Sequence, residues 1–180
     1  MIFEPFKPFM ACEFQVKFAT QGWERVGARA LRRAVFCEEQ GLFAGDDADV
    51  VDAHAIPIVA LSMLAVAADG VVGTVRIHEE ADGVWWGSRL AVAADYRKVG
   101  ALGACLIRLA VASAHARGCR RFLAHVQEQN VLFFRRLHWR SIEEIELLGR
   151  RHHLMMADLD HYRPFENAER GFLALARKAA

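Results

Sequence analysis

The four cysteines, at 12, 37, 105 and 119, include no Cys-x-x-Cys pair. No spacing among them would set up a zinc site, so reduced and mostly buried thiols are expected. Charge of one sign is also missing. Lys plus Arg number 23 against 22 Asp plus Glu, a formal charge of +1 with both signs interspersed. That leaves no electrostatic footprint for nucleic acid or a membrane surface. No apolar run is long enough to cross a bilayer: "AIPIVALSMLAVAA", from Ala55 to Ala68, falls short of the roughly 20 residues required, and Pro57 interrupts it. It belongs in a core. The opening "MIFEPFKPFMACEF" carries Glu4, two prolines and no continuous apolar region, so it does not read as a signal peptide, and a cytoplasmic location is expected. Nothing repeats at a fixed period and no stretch is of low complexity.

What remains is a chain of 180 residues, 54% hydrophobic, enough for one sizeable core and short for two. The reading is one domain over residues 1–164 with a C-terminal helical tail at 165–180, where "FENAERGFLALARKAA" has an amphipathic pattern. "CEFQVKFA" from Cys12 alternates as a strand does, and Thr20 precedes a helical spacing of Trp23, Val26, Ala30 and Ala34 that ends near Gly41. The acidic "GDDADVVDAH" is loop-like. "LSMLAVAADGVVGTVRIHEE" reads as two strands joined at Asp69-Gly70, and a second turn at Asp82-Gly83 introduces "VWWGSRLAVA", which completes a three-stranded meander. A helix is expected from Ala104 to Arg117, starting just after Gly103, with Gly118 where a left-handed cap belongs. Then come a strand "RRFLAHVQ", a short helix "NVLFFRRLHW", and two strands around Gly149 and Arg150. The order is mixed α/β.

"RHHLMMADLDH" places His152, His153, Asp158 and His161 close together, but the spacing matches no standard metal site and adjacent residues of a strand point to opposite faces. No metal is expected. The segment "YRKVGALGACLIRLAVASAHARG" is more informative. Glycines at a strand-to-helix turn let backbone amides converge, the helix dipole adds partial positive charge, and Arg97 and Lys98 add full charges, so the corner suits a phosphate or pyrophosphate. It is neither GxxxxGK[ST] nor GxGxxG, which removes the main support for nucleotide-triphosphate and dinucleotide readings.

As a series, "VVGTVRI", "SRLAV", the basic glycine loop, its helix and "QNVLFFRRLHW" resemble the GNAT superfamily of acyl-CoA-dependent N-acetyltransferases from about residue 13 to 160. The pyrophosphate loop of that family reads [RQ]xxGx[GA]. The chain is also similar to a bacterial subgroup associated with nitrogen-starvation gene clusters, and "LRRAVFCEEQG" followed by "DDADVVDAH" looks like the acceptor-side region of one GNAT branch. The resemblance implies an α/β (α+β) fold with a mixed, mostly antiparallel sheet flanked by helices and splayed fourth and fifth strands. It implies acetyl-CoA, or another acyl-CoA, as donor. The loop Arg97, Lys98, Val99, Gly100, Ala101, Gly103 and Ala104 would hold the pyrophosphate, and the backbone of Leu90, Ala91 and Val92 with Asn130 would hold the pantetheine arm. The amine of a small metabolite would attack the thioester directly.

Two positions depart from the pattern. The family's second glycine falls at Leu102, with Gly103 one residue later, and the tyrosine that many members use as general acid aligns with Phe134. Candidate bases are Glu39, Glu79 and His54. Proton sources for the leaving thiolate include water, His138 and Cys105, and Ser88 and Arg89 are candidates for the acceptor pocket. The carboxylates Glu38, Glu39, Asp46, Asp47, Asp49 and Asp52 would favour a cationic amine. A homodimer is left open. Two other functions share these residues: a non-catalytic acyl-CoA-binding or scaffold subunit of a metabolic assembly, and an acyl-homoserine-lactone synthase suggested by "RRAVF".

Overall fold

The computed structural model describes residues 10–99 and 101–176. The alternating "EFQVKF" forms β1 (Glu13–Phe18) and buries Phe14 and Val16 completely. Helix α1 (Gly22–Arg32) starts where Glu24 turns back on the chain: its Oε2 accepts from the Thr20 and Gln21 amides at 2.7 and 2.9 Å. The same carboxylate is paired with buried Lys17 at 2.7 Å. The helical run expected to reach Gly41 changes character at Arg33, where a π-helix (Arg33–Glu39) follows. Its wider ladder includes Gln40 N–H donating to Val35 C=O, and such turns recur at functional sites.

The meander is present as β2 (Ile56–Leu64), β3 (Ala67–Ala81) and β4 (Val84–Val92). Asp82-Gly83 makes the second turn as expected, with Gly83 at φ +71°. The first turn does not lie at Asp69-Gly70. Leu64 pairs with Ala67 across Ala65 and Val66, while Ser62 pairs with Gly70 and Met63 with Ala68. Asp69 is therefore the extra residue of a β-bulge, a second use of the small, permissive residues that mark hairpin turns. Helix α2 (Leu102–His115) begins two residues earlier than expected and runs into a turn at Gly118, φ +86°. The order closes with β5 (Arg121–Gln127), α3 (Val131–Arg136), β6 (Trp139–Leu147), β7 (Arg150–Ala157) and β8 (Phe172–Leu175).

The eight strands form one sheet in the order β6-β7-β5-β4-β3-β2-β1-β8. Among the described strands only the β4–β5 pairing is parallel. The core lies between the sheet and α2, where Phe14, Ile58, Ile77, Leu106, Phe122 and Met155 are almost wholly buried.

The tail is not a helix within the described residues; 177–180 lie outside them. Gly171 turns the chain at φ +68° and "FLAL" pairs with β1 as β8. Ala174 is buried while Leu173 and Leu175 are exposed, so the period is two, not 3.6. A Cβ at Gly171 would collide with the Val16 carbonyl oxygen. The Gly171→Ala protein is therefore expected to lose about 1–3 kcal/mol, combining the clash with a left-handed backbone. A urea-unfolding midpoint equal to wild type would contradict this placement of β8.

Candidate active site

β4 follows β5 for only three residue pairs, Val84–Arg121, Trp85–Phe122 and Trp86–Leu123. Two local features end the pairing. At Gly87 a Cβ would stand 2.9 Å from the Phe122 ring, so only glycine lets the strand pass there without displacing that buried ring. Just beyond, Arg76 pairs with Ser88 and Thr74 with Ala91, so Arg89 and Leu90 together oppose Val75 in a bulge, with Arg89 at φ +56°. The β5-facing edge of Gly87–Val92 is left without a strand partner among the described residues.

The gap opens a cavity of about 470 Å³ that passes through the sheet. On the α2 side it is lined by Ile107, Val111, Phe122, Phe134 and Asn130, and on the opposite side by Phe36, Leu42, Phe43, Trp86 and Leu148. Asn130 caps nothing with its side chain, so its amide is free to face the cavity. Ser88 and Arg89 line it as expected.

The acidic loop is a clamp. Arg32 donates to Asp47 Oδ2 at 2.8 Å and to both oxygens of Asp52 at 2.6 and 3.0 Å. Arg76 holds Asp49 through two bonds of 2.7 and 2.6 Å, lies 2.8 Å from Asp52 Oδ1, and donates to Ser88 Oγ at 2.9 Å. Arg89 donates to the Asp47 carbonyl at 3.0 Å and to Asp49 at 3.2 Å, with its guanidinium 4.5 Å from the centre of the Phe43 ring. Burial alone would push the Asp52 carboxyl up, but hydrogen bonds from Arg32 and Arg76 hold it far below the usual carboxylate range. Hydrogen bonding to Arg76 likewise lowers Asp49. Three arginines pair with Asp47, Asp49 and Asp52, three of the six carboxylates expected to favour a cationic acceptor, while Glu38 and Asp46 stay exposed.

The three candidate bases lie apart. Glu39, at the end of the π-helix, is gripped by Arg97 through two 2.6 Å bonds, and that hydrogen bonding lowers its pKa. A carboxylate so held is a poor proton acceptor. Glu79 accepts from the Gly83 amide at 2.9 Å and supports the β3–β4 turn. His54 packs edge-on against His78, with ring centres 5.5 Å apart. None of the three lines the cavity. His138 stacks on His161 away from it, and Phe134 is a buried ring set edge-to-face against Trp139.

The residues that do reach the cavity with titratable nitrogens are His78, His125 and His152. The His125 imidazole makes no hydrogen bond among the described residues and sits 5.0 Å from Trp86 ring to ring. Desolvation by the apolar walls, then the neighbouring His152, lowers its pKa. Desolvation also lowers His78, with His54 and Arg76 adding to it. His152 uses Nδ1 on the Arg150 carbonyl at 2.9 Å. Strand alternation carries the signal for these residues: His125 and Gln127 share the face of β5 opposite Phe122, Ala124 and Val126.

At the phosphate corner, Ala101 is left-handed at φ +51° and α2 begins at Leu102, so Gly103 lies inside the first turn, 3.5 Å from the Phe133 ring by its missing Cβ. The first-turn amides of Leu102, Gly103 and Ala104 have no intrahelical acceptor. Arg97 and Lys98 are exposed beside them, and Gly100 lies outside the described residues.

A model of the acetyltransferase (GNAT) family matches residues 28–139, well over half of the chain. No curated protein matches. Among solved structures, one from Lactobacillus plantarum described as an N-acetyltransferase is 26% identical, with a TM-score of 0.71 over 80% of this chain and 97% of that one. Escherichia coli ElaA is 19% identical at TM-score 0.67, covering 82% and 99%. BjaI, a CoA-dependent acyl-homoserine lactone synthase solved with SAM and isopentyl-CoA, is 18% identical at TM-score 0.59, covering 75% and 74%. The last two likenesses speak to the fold alone, and none of the matches bears on the nitrogen-starvation subgroup.

The clamp makes a stability prediction. Asp49 and Asp52 have depressed folded-state pKa values, so their contribution is full above the unfolded value of about 3.9 and is lost as pH falls below it. Removing one partner leaves buried arginine charge uncompensated, so Asp52→Ala is expected to cost about 3–5 kcal/mol at neutral pH and to flatten the acid limb of the stability curve. Urea titrations of both proteins at pH 7 and in mild acid check this.

Proposed function

The chain belongs to the acetyltransferase (GNAT) family, and from that premise we propose that it moves an acetyl or other short acyl group from acyl-CoA to the amine of a small metabolite. The observation that carries the reading is the cavity at the β4–β5 split, which gives one molecule access from the α2 side and a second from the loop side. The residues present fit acyl-CoA. Leu90, Ala91 and Val92 have no β5 partner and offer an edge that a pantetheine arm can extend as an added strand, with the Val92 carbonyl already accepting from Arg97 Nε at 3.0 Å. Asn130 supports it from the end of β5. The first-turn amides at Leu102, Gly103 and Ala104, after Val99 and Ala101, suit a diphosphate, with Arg97 and Lys98 adding charge. Acyl-CoA is consumed in each turnover and is therefore a substrate.

An alkylammonium ion has no lone pair to attack with, and at a pKa of about 10.4 it predominates at neutral pH. His125, held neutral by desolvation and free of other partners, takes that proton. The amine nitrogen then bonds to the thioester carbonyl carbon while a backbone N–H of β4 stabilises the developing oxyanion. The C–S bond breaks, and the nitrogen's remaining excess proton passes through cavity water to the sulfur. Amide and free thiol are the products, in balance. Phe134 offers no proton, so solvent replaces the usual phenol. Four free thiols, at Cys12, Cys37, Cys105 and Cys119, suit the reducing cytosol, where acyl-CoA is found.

Arg97 cannot grip both Glu39 and a diphosphate. Glu39→Gln should therefore tighten CoA binding about two- to fivefold, the worth of an exposed pair, and Arg97→Ala should weaken it. Calorimetry showing Arg97→Ala binding CoA as tightly as wild type would remove Arg97 from the phosphate site. For catalysis, His125→Ala is expected to lower kcat about 100- to 10,000-fold with CoA affinity unchanged. In wild type, kcat should fall as pH drops below about 6.5, because His125 titrates below its ordinary value. Thiol release from acetyl-CoA with an amine pool measures both. CoA binding without amine-dependent release would instead support the non-catalytic subunit, and release only with S-adenosylmethionine would support the lactone synthase.

A further inference from the structure

The acceptor half of the cavity has a definite chemistry. Its walls are Phe36, Leu42, Phe43, Trp86 and Leu148, supplied by the π-helix, the loop after it, β4 and the β6–β7 turn. Its charged groups are already matched: Arg76 by Asp49 and Asp52, Arg89 by Asp47 and Asp49. Its three imidazoles include half-buried His78 and solvent-accessible His125, each with its pKa lowered by partial desolvation. Among the described lining residues there is no carboxylate to receive a second ammonium group, and both guanidiniums already face aspartates, with only Arg89 Nε, 2.9 Å from Asp47 Oδ2, making no hydrogen bond. A ligand that brings a charge of its own, beyond the reacting amine, would have to bury it unpaired.

Resting on the acyltransferase reading above, we infer that the acceptor is an amine on an otherwise uncharged aromatic body, an arylalkylamine. Its ring lies among Trp86, Phe43 and Phe36, where aromatic side chains accept edge-on and offset neighbours. Its short arm brings the nitrogen to His125, which stands 5.0 Å from Trp86. A cavity of about 470 Å³ has room for one ring system beside the end of the pantetheine arm. Polyamines, α-amino acids and S-adenosylmethionine each carry a charge that this surface does not complement.

The test compares 2-phenylethylamine, butylamine, spermidine and L-phenylalanine as acceptors with acetyl-CoA. 2-Phenylethylamine is expected to exceed butylamine in kcat/KM by at least about tenfold, from the buried ring, and to exceed both multiply charged amines. Its kcat/KM should not change with salt, since no exposed charge steers it. Spermidine or L-phenylalanine as the best acceptor would overturn the inference while leaving acyl transfer intact. Calorimetry of 2-phenylethylamine on the CoA-loaded protein separates the remaining cases: binding without turnover upholds an arylalkylamine as the cavity's ligand and sinks the acyltransferase reading, whereas no binding sinks the inference. Leu148→Asp places a carboxylate on the cavity wall at φ +53°, a conformation aspartate tolerates. It should raise spermidine relative to 2-phenylethylamine. A fall for both amines with their ratio unchanged would show that charge balance does not select the substrate.

Discussion

Arg89 is the point on which the molecule turns. Its left-handed backbone forces β4 to bulge against β3 and so keeps the strand from rejoining β5. Its side chain, re-aimed by the same bulge, reaches the acidic loop and Phe43. One residue thus opens the sheet and fastens the cover over the opening. Gly87 makes the departure sterically allowed by passing close to Phe122, and Arg76 ties the adjacent strand to the same loop. Three of the six charged groups of this clamp, Arg32, Asp47 and Arg76, are buried and all six are mutually paired, so their role is to fix geometry more than to attract a ligand.

The consequence is a division of labour across the sheet. The α2 face presents backbone: a strand edge without a strand partner among the described residues and a helix N-terminus, groups that offer hydrogen bonds whatever the side-chain identity. The loop face presents side chains, aromatic and imidazole, which can vary with the acceptor. Glu39 and Arg97 join the two halves, since the residue that ends the π-helix holds the residue that precedes the phosphate corner.

Much of this was legible in the sequence, for reasons that also mark its limits. The meander, α2 and the β4-to-α2 corner are local features, written in alternation, helical spacing and turn residues. Asp69-Gly70 misled because the dipeptide serves a bulge as readily as a turn, and only cross-strand register separates the two uses. The tail misled because a four-residue strand is too short for its period to stand out beside "FENAERG". The acidic loop was visible, but its partners Arg32, Arg76 and Arg89 lie 15 to 42 residues away and the pairing is a tertiary fact. His125 was overlooked because one imidazole on an apolar strand looks like core until the strand beside it splits away.

The central claim is that the β4–β5 split is the acyl-CoA cleft. A crystal structure of the protein grown with CoA tests it most directly. The account predicts the pantetheine arm along Leu90–Val92, the diphosphate at the amides of Leu102–Ala104, and the sulfur at the centre of the through-sheet cavity. CoA bound elsewhere, with β4 and β5 closed on each other, would contradict it.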